Sequence, residues 1–285
     1  MIWIKWAGLA LAALVAVWAV LALVGGWRWQ QRTAALVADL AAARRPVAGR
    51  HDLASLAGLP PPVQRFFRAA LTPGQPLVAG VTLSHAGTFN MGEGADNWKP
   101  FTSSQWVEVA RPGFVWDGTI RMAPGLPVRV HDAYVAGEGI LIPALFGLVK
   151  LTEMRGTPDI AEGELLRWLA EAAWYPTALL PGQGVEWSPI DDQSALVTVT
   201  DGGVSARLTV RFGPDGLIAS VRADARGRMV GGTSLPTPWE GRWSDYRRQD
   251  GMMVPMTGEV AWILPEGPKP YWRGRITALT TRFAD

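Results

Sequence analysis

Three charged side chains, Asp132, Arg167 and Glu171, are the strongest candidates for chemistry in this sequence. Arg167 and Glu171 are four residues apart in a segment of strong helical propensity, so one face of a helix would carry both. Asp132 continues the alternation of Val128 and Val130, which directs its carboxylate toward the apolar side of a strand. Because an unpaired buried carboxylate is costly, we expect Asp132 to meet an arginine or a hydroxyl.

Two interpretations of this charged group are open. A structural ion-pair network would lock the helix to the sheet, and such networks perturb pKa values without being catalytic. Alternatively, the group is a polar anchor at the bottom of an apolar cavity, where it fixes a ligand headgroup. With the aromatic residues expected beside it, the candidate ligand-binding residues are Trp116, Asp132, Tyr134, Arg167, Trp168, Glu171 and Trp174.

Signals for other chemistry are weak. The histidines His51, His85 and His131 have none of the spacings that metal sites use. No G-x-S-x-G nucleophile elbow occurs, and the glycine-rich segments lack the lysine of a phosphate-binding loop. We therefore expect no metal, no cofactor and no catalytic residue, although Asp132 with Glu171 leaves an enzyme using inward carboxylates as an alternative.

The positioning elements begin with strands, because from Leu77 onward the hydrophobic period is two. Glycine-bearing turns such as Asp201-Gly202-Gly203 separate several of them at hairpin spacing, which is typical of an antiparallel meander. The eleven predicted strands are 81–90, 104–110, 114–122, 128–136, 185–188, 195–200, 204–212, 217–226, 239–248, 252–264 and 271–283.

Two helices are predicted within this region, over 60–72 and 159–175. The second is apolar around most of its circumference, so other elements must cover it. A curved sheet of about eleven strands is the obvious cover. The predicted fold is mainly β (α+β): a transmembrane helix followed by a strongly curved antiparallel half-barrel that grips a central helix.

An uncharged apolar run of 22 residues, Trp6 to Trp27, lies between Lys5 and Arg28. A helix of that length spans about 33 Å, enough for a hydrocarbon core of about 30 Å. A secretion signal is the competing interpretation, but its core is shorter and ends in small residues. We expect a transmembrane anchor over 1–28, a helical linker over 29–50 and one domain over 51–285.

Charge limits the choice of partners. Residues 51–285 carry 21 basic and 24 acidic side chains, a net charge of −3, which gives no basic face for nucleic acid. The juxtamembrane arginines Arg28, Arg32, Arg44, Arg45 and Arg50 are able to contact anionic lipid headgroups or to serve as ordinary solvated charges. The positive-inside rule alone favours a cytoplasmic body, but long domains translocate largely regardless of charge, so charge leaves the side of the bacterial inner membrane open. We expect the body on the extracytoplasmic side.

The segment from Arg167 to Pro181, RWLAEAAWYPTALLP, followed by Val185-Glu186-Trp187, resembles the central signature of a bacterial membrane-anchored family of unknown function. Further matching pieces are Gly87-Thr88-Phe89, Trp98-Lys99-Pro100-Phe101, Asp132-Ala133-Tyr134 and Thr237-Pro238-Trp239. The resemblance implies a distant relative of the Lol-type lipoprotein carriers, half-barrels that hold acyl chains in an apolar cavity.

Three functions follow as hypotheses. The first is a module that binds a lipid or another hydrophobic molecule at the membrane surface. The second is a scaffold whose sheet edge or outer face binds an envelope protein. The third is an enzyme that uses inward carboxylates.

Overall fold

The computed structural model describes residues 2–284, in which fourteen strands form one antiparallel sheet. The strand order is β6-β5-β4-β3-β2-β1-β14-β13-β12-β11-β10-β9-β8, and β7 also pairs with β5. The strands are β1 Val78–Asn90, β2 Trp98–Glu108, β3 Gly113–Ala123, β4 Leu126–Val135, β5 Glu138–Leu145, β6 Val149–Lys150, β7 Met154–Arg155, β8 Val185–Pro189, β9 Ser194–Asp201, β10 Val204–Phe212, β11 Ile218–Val230, β12 Thr233–Gln249, β13 Met252–Leu264 and β14 Gly267–Phe283.

The predicted antiparallel half-barrel is confirmed, with fourteen strands instead of about eleven. The additional strands are β5, β6 and β7. In β5 the apolar residues run almost continuously and include Pro143, so the alternation that marks the other strands is missing. β6 and β7 have two residues each and are defined by their pairing with β5.

Three α-helices accompany the sheet, α1 Ile2–Ala42, α2 Pro61–Ala70 and α3 Pro158–Ala170. α3 is the central helix, and it packs against β10 and β5, which belong to opposite halves of the strand order. Leu165 and Trp168 of α3 are fully buried. Two 3-10 helices, Glu171–Trp174 and Pro176–Leu179, continue the path of α3, so the helix predicted over 159–175 is α-helical only as far as Ala170.

Interruptions in the strand register help to curl the sheet around α3. Register shifts occur between Ser84 and His85 in β1 and between Ala223 and Arg226 in β11. Such bulges bend a strand and increase its right-handed twist. As a result, one face of the sheet is concave and holds α3 together with most of the buried apolar side chains.

α1 docks on the outer face of β3 and β4. Its buried residues Gly25, Trp29, Thr33 and Leu40 recur at helical spacing and form one stripe. The remaining faces of the helix are exposed, and its N-terminal part is apolar and long enough to cross a membrane. Part of the predicted linker, 29–42, is therefore a helix packed on the domain.

Specific contacts fix this docking. The Trp29 ring stacks on His131 at 3.8 Å between centroids, and its Nε1 donates to Asp117 Oδ1 at 2.8 Å. Thr33 Oγ1 lies 2.8 Å from Asp117 Oδ2 and 2.7 Å from His131 Nε2. Burial and the nearby arginines of α1 and β4 lower the pKa of His131 to about 4, so its ring is neutral at pH 7. A Cβ on Gly25 would lie 2.1 Å from the Phe146 carbonyl oxygen, so only glycine permits this approach.

Candidate ligand-binding site

A cavity of about 820 Å³ lies on the concave face, between β1, β3, β4 and β5, the β11–β12 and β13–β14 hairpins and the N-terminal part of α3. Its walls include Phe89, Trp116, Ile120, Val130 and Leu141. These side chains are apolar, and those of β1, β3 and β4 come from strands that turn alternate residues inward. Charged side chains complete the lining, among them Asp132, Arg226 and Lys269, so the space is a cleft of mixed polarity and of the size that binds small molecules.

A second space of about 90 Å³ lies deeper in the same face. It shares Phe89, Trp116, Asp132, Arg226 and Tyr271 with the outer cavity, so we treat the two spaces as an outer cavity and an inner chamber. Four further tryptophans line the inner chamber: Trp174, Trp239, Trp243 and Trp272.

Charged groups line the inner chamber around Arg167. The Arg167 guanidinium pairs with Asp132 Oδ2 at 2.5 Å through Nη1 and with Glu171 Oε1 at 2.7 Å through Nε. Gln105 Nε2 donates to Glu171 Oε2 at 2.6 Å. The guanidinium also lies over the Phe114 ring, 4.9 Å from its centroid. Arg167 therefore joins α3 to β4 and satisfies two carboxylates in an apolar setting.

Glu164 extends this group by one helical turn, and it was not among the residues predicted from sequence. It is buried, and its Oε1 is 3.9 Å from Arg226 Nη2, while Glu164 Oε2 and Asp132 Oδ1 are buried without a hydrogen-bond partner among residues 2–284. Burial raises the pKa of Glu164 well above its usual value, and repulsion from Asp132 adds to this. The raised pKa favours the protonated, neutral form of Glu164 in this group.

Replacing Glu164 by glutamine tests this protonation. The folded-state pKa of Glu164 lies above the unfolded value of about 4.5, so its stabilising effect is complete below pH 4.5 and is lost as the pH rises toward the folded pKa. An amide cannot ionise, so the Glu164→Gln protein should gain stability over the parent by up to about 1.4 kcal/mol per pH unit across that range. Urea denaturation at pH 5 and pH 8 measures the difference.

The matched control is Glu162→Gln, since Glu162 is exposed on the same helix. Its free energy of unfolding should differ from that of the parent by the same amount at both pH values. An ionised Glu164 is indicated if Glu164→Gln behaves like this control.

Several polar atoms at the inner chamber are buried and have no partner within residues 2–284. The indole Nε1 atoms of Trp174 and Trp243 both belong to this class, and both side chains line the chamber. His85 packs against Trp174 with ring centroids 5.0 Å apart, and its Nε2 is also unpartnered. Burial and, to a smaller extent, the charge of Arg167 lower the pKa of His85 to about 3, so this ring is neutral at pH 7. The chamber thus presents indole hydrogen-bond donors beside a neutral imidazole.

Five of the seven predicted residues meet at this site. Trp116 and Asp132 line both spaces, while Arg167, Glu171 and Trp174 line the inner chamber. The other two belong to the surrounding packing: the Tyr134 hydroxyl donates to Asp201 Oδ2 at 3.2 Å, and Trp168 Nε1 donates to the Glu108 carbonyl oxygen at 3.0 Å.

Glu164 and Arg226 were missed for different reasons. Glu164 lies three residues before Arg167 and seven before Glu171, so helical spacing already placed it on the same face. No local pattern identifies Arg226, because it follows the register shift in β11 and reaches α3 only through the fold. Among residues 2–284, no cluster of three histidine, cysteine or acidic side chains is arranged to hold a metal.

A family model described as a family of unknown function, DUF6920, matches residues 57–280. This match confirms the resemblance drawn from the sequence. No protein among the curated sequences matches this chain.

Similar solved structures include a LolA superfamily protein from Nitrosomonas europaea, at 12% identity, a TM-score of 0.39, and coverage of 71% of this chain and 86% of the other. Another is a β-barrel-like protein of the DUF1849 domain from Brucella abortus, at 9% identity, a TM-score of 0.23, and coverage of 73% and 99%.

Proposed function

This chain belongs to the DUF6920 family, whose function is unknown, and we propose that it is a membrane-anchored protein that binds a lipid or a similar apolar molecule in its half-barrel. One observation carries the proposal: a cavity of about 820 Å³, with apolar and charged side chains in its walls, continues into a chamber lined by tryptophans and charged groups. Its volume lies within the range of about 300–1,000 Å³ that is typical of small-molecule sites.

The polar groups of the inner chamber indicate the chemistry of the ligand. Trp174 and Trp243 offer buried N–H donors, and Arg226 offers a guanidinium at the junction of the two spaces. Buried donors without a partner cost free energy, so a ligand that accepts their hydrogen bonds gains affinity. We infer a ligand with an apolar chain and acceptor oxygens, such as those of an acyl ester or a carboxylate.

The docking of α1 supports a retained anchor. Cleavage after the apolar run would remove the approach of Gly25 to Phe146 and leave the stack of Trp29 on His131 at a new chain end. A signal peptide makes no such contacts with the mature domain. The proposal includes a single-pass anchor in the bacterial inner membrane with the body on the extracytoplasmic side, and digestion of the body by protease added to intact spheroplasts tests that side.

Filling the cavity by one substitution tests ligand binding. Gly163 of α3 lines the outer cavity, and a Cβ there would meet only Arg226 Nε, at 3.8 Å. The Gly163→Phe variant should occupy the cavity without a backbone clash, and the loss of a mid-helix glycine favours the helix by up to about 1 kcal/mol. We expect the parent to bind a fluorescent acyl lipid in detergent solution and Gly163→Phe to lose at least tenfold in affinity.

The Gly163→Ala variant is the control, because it changes the backbone in the same way and leaves the cavity open. It should bind the probe like the parent. Equal binding by Gly163→Phe, or no binding by the parent, would contradict a ligand site in this cavity.

A further inference from the structure

α1 fixes the direction of the membrane relative to the domain. The helix lies along β3, with Trp18 at one end of the strand and Leu40 at the other. Trp18 Nε1 donates to the Gly125 carbonyl oxygen at 2.7 Å, and a Cβ on Gly113 would lie 2.7 Å from Leu40 Cδ1. Consequently, the apolar part of α1 leaves the domain at the end where β3 turns into β4. We call this the β3–β4 end; the β1–β2 and β5–β6 connections lie at the same end.

The length of the apolar helix places this end within the bilayer. A hydrocarbon core of about 30 Å takes about 20 helical residues, and counted from Lys5 these end near Gly25. Trp18 is only about 20 Å along the helix from Lys5. The β3–β4 turn that it touches therefore lies below the membrane surface, and Phe146, whose carbonyl approaches Gly25, lies at the boundary.

The turn has the composition that such a position requires. Residues 123–127, Ala-Pro-Gly-Leu-Pro, carry no charge, and the two prolines have no N–H to leave unsatisfied. The Gly125 carbonyl accepts from Trp18, and the Pro127 carbonyl accepts from the Phe146 N–H at 3.0 Å. Because an unsatisfied backbone group costs several kcal/mol in lipid, these bonds suit a turn that enters the hydrocarbon.

Exposed apolar side chains concentrate in the same region. Outside α1, the described residues expose nine large hydrophobic side chains, and seven of them lie either on the turns beside α1 or on the connections that border the outer cavity. Exposed apolar side chains concentrated at one end of a domain are typical of a membrane or protein contact. The seven are Leu126, Val149 and Leu151 beside α1, and Met91, Met229, Val230 and Leu235 at the cavity mouth; the other two are Leu53 and Ile190.

Basic residues occur at the level of the headgroups. Arg28 and Arg32 of α1 are exposed there, and Arg121 and Arg129 flank the β3–β4 turn. A basic side chain near an anionic surface contributes about 1 kcal/mol. By contrast, Arg44 pairs with Glu108 at the opposite end of β3, so it lies away from the membrane.

We propose that the β3–β4 end is inserted in the leaflet from which α1 emerges, so that the outer cavity opens onto the bilayer and takes its ligand laterally from that leaflet. The occupant of this apolar surface is the membrane itself, and the ligand class is a membrane lipid. The identity of the ligand rests on the proposed function, whereas the insertion rests on the contacts of α1.

Spin labelling of the full-length protein tests the insertion. Because the chain has no cysteine, a single substitution gives a unique label site. The variants are Leu126→Cys, Val149→Cys and Met91→Cys, with Leu53→Cys as the control of similar exposure at the far end of β1. Each is labelled and placed in nanodiscs of phosphatidylethanolamine and phosphatidylglycerol, and collisions with oxygen and with a water-soluble nickel complex are measured.

We expect labels at positions 126, 149 and 91 to show an oxygen-to-nickel collision ratio several-fold higher than the label at position 53. Equal ratios at all four positions would overturn the insertion. A second outcome is a high ratio at positions 126 and 149 with a ratio at position 91 as low as that at position 53. Because Met91 lines the outer cavity, this outcome would overturn the opening of the cavity onto the bilayer. These readings do not depend on ligand binding, so they separate a failure of this inference from a failure of the Gly163→Phe experiment.

Discussion

Replacement of Arg167 by methionine is expected to lower the free energy of unfolding by about 3–5 kcal/mol, because it leaves Asp132 and Glu171 as buried carboxylates without a counter-charge. Its side chain is only 17% exposed, so water offers little compensation. Chemical denaturation of the full-length protein in detergent, followed by near-UV circular dichroism, measures the loss.

Arg155→Met is the matched control. Arg155 pairs with Glu138 at 2.8 Å, but these side chains are 48% and 39% exposed, and pairs of that kind contribute at most about 1 kcal/mol. A triple variant that adds Asp132→Asn and Glu171→Gln to Arg167→Met should recover part of the loss, since no buried charge remains unpaired. If Arg167→Met and Arg155→Met cost the same, the buried group is not what joins α3 to the sheet.

Replacement of Trp29 by alanine is expected to release α1 from the outer face of the sheet. Trp29 is fully buried, stacks on His131 and donates to Asp117, so its loss should cost about 3–5 kcal/mol of docking free energy. Since each 1.4 kcal/mol is a factor of ten, amide exchange in segment 28–42 should accelerate by about 100-fold or more in nanodiscs.

Trp27→Ala controls for the removal of a tryptophan from the same helix. Trp27 is 61% exposed, two residues before Trp29, and faces away from the sheet. Exchange in segment 28–42 should match that of the parent. A similar acceleration in both variants would mean that docking does not depend on the stripe containing Trp29.

The fold was predictable where a local pattern was strong. Alternation and glycine turns identified eleven strands, and the apolar circumference of the central helix required a sheet to wrap it. Strand parity indicated that Asp132 needs a partner, and helical spacing left open whether Arg167 pairs with Glu171 or reaches a strand residue; in the structure Arg167 does both. Tyr134 lies on the same face of β4 as Asp132, yet its hydroxyl bonds to Asp201 outside the cavity. The alternation of a strand identifies the face on which a side chain lies, but not its position along the strand relative to the cavity.

The docked part of α1 was not predictable from local pattern. Trp29 and Thr33 look like an interfacial aromatic and a neutral helix residue, and only their contacts with Asp117 and His131 assign them a packing role. Two neighbouring strands, β3 and β4, supply those partners, and their separation in sequence from α1 exceeds eighty positions. For the same reason, Arg226 joined the site only once β11 was in place beside α3.

Native mass spectrometry of the full-length protein, released from its own membranes, tests ligand binding most directly. We predict that the parent and Gly163→Ala carry a copurified lipid of defined mass, and that Gly163→Phe, folded to the same extent, carries none. Two results would contradict lipid binding in this cavity. One is a parent protein detected only at the mass of its bare polypeptide, and the other is a Gly163→Phe variant that retains the same lipid.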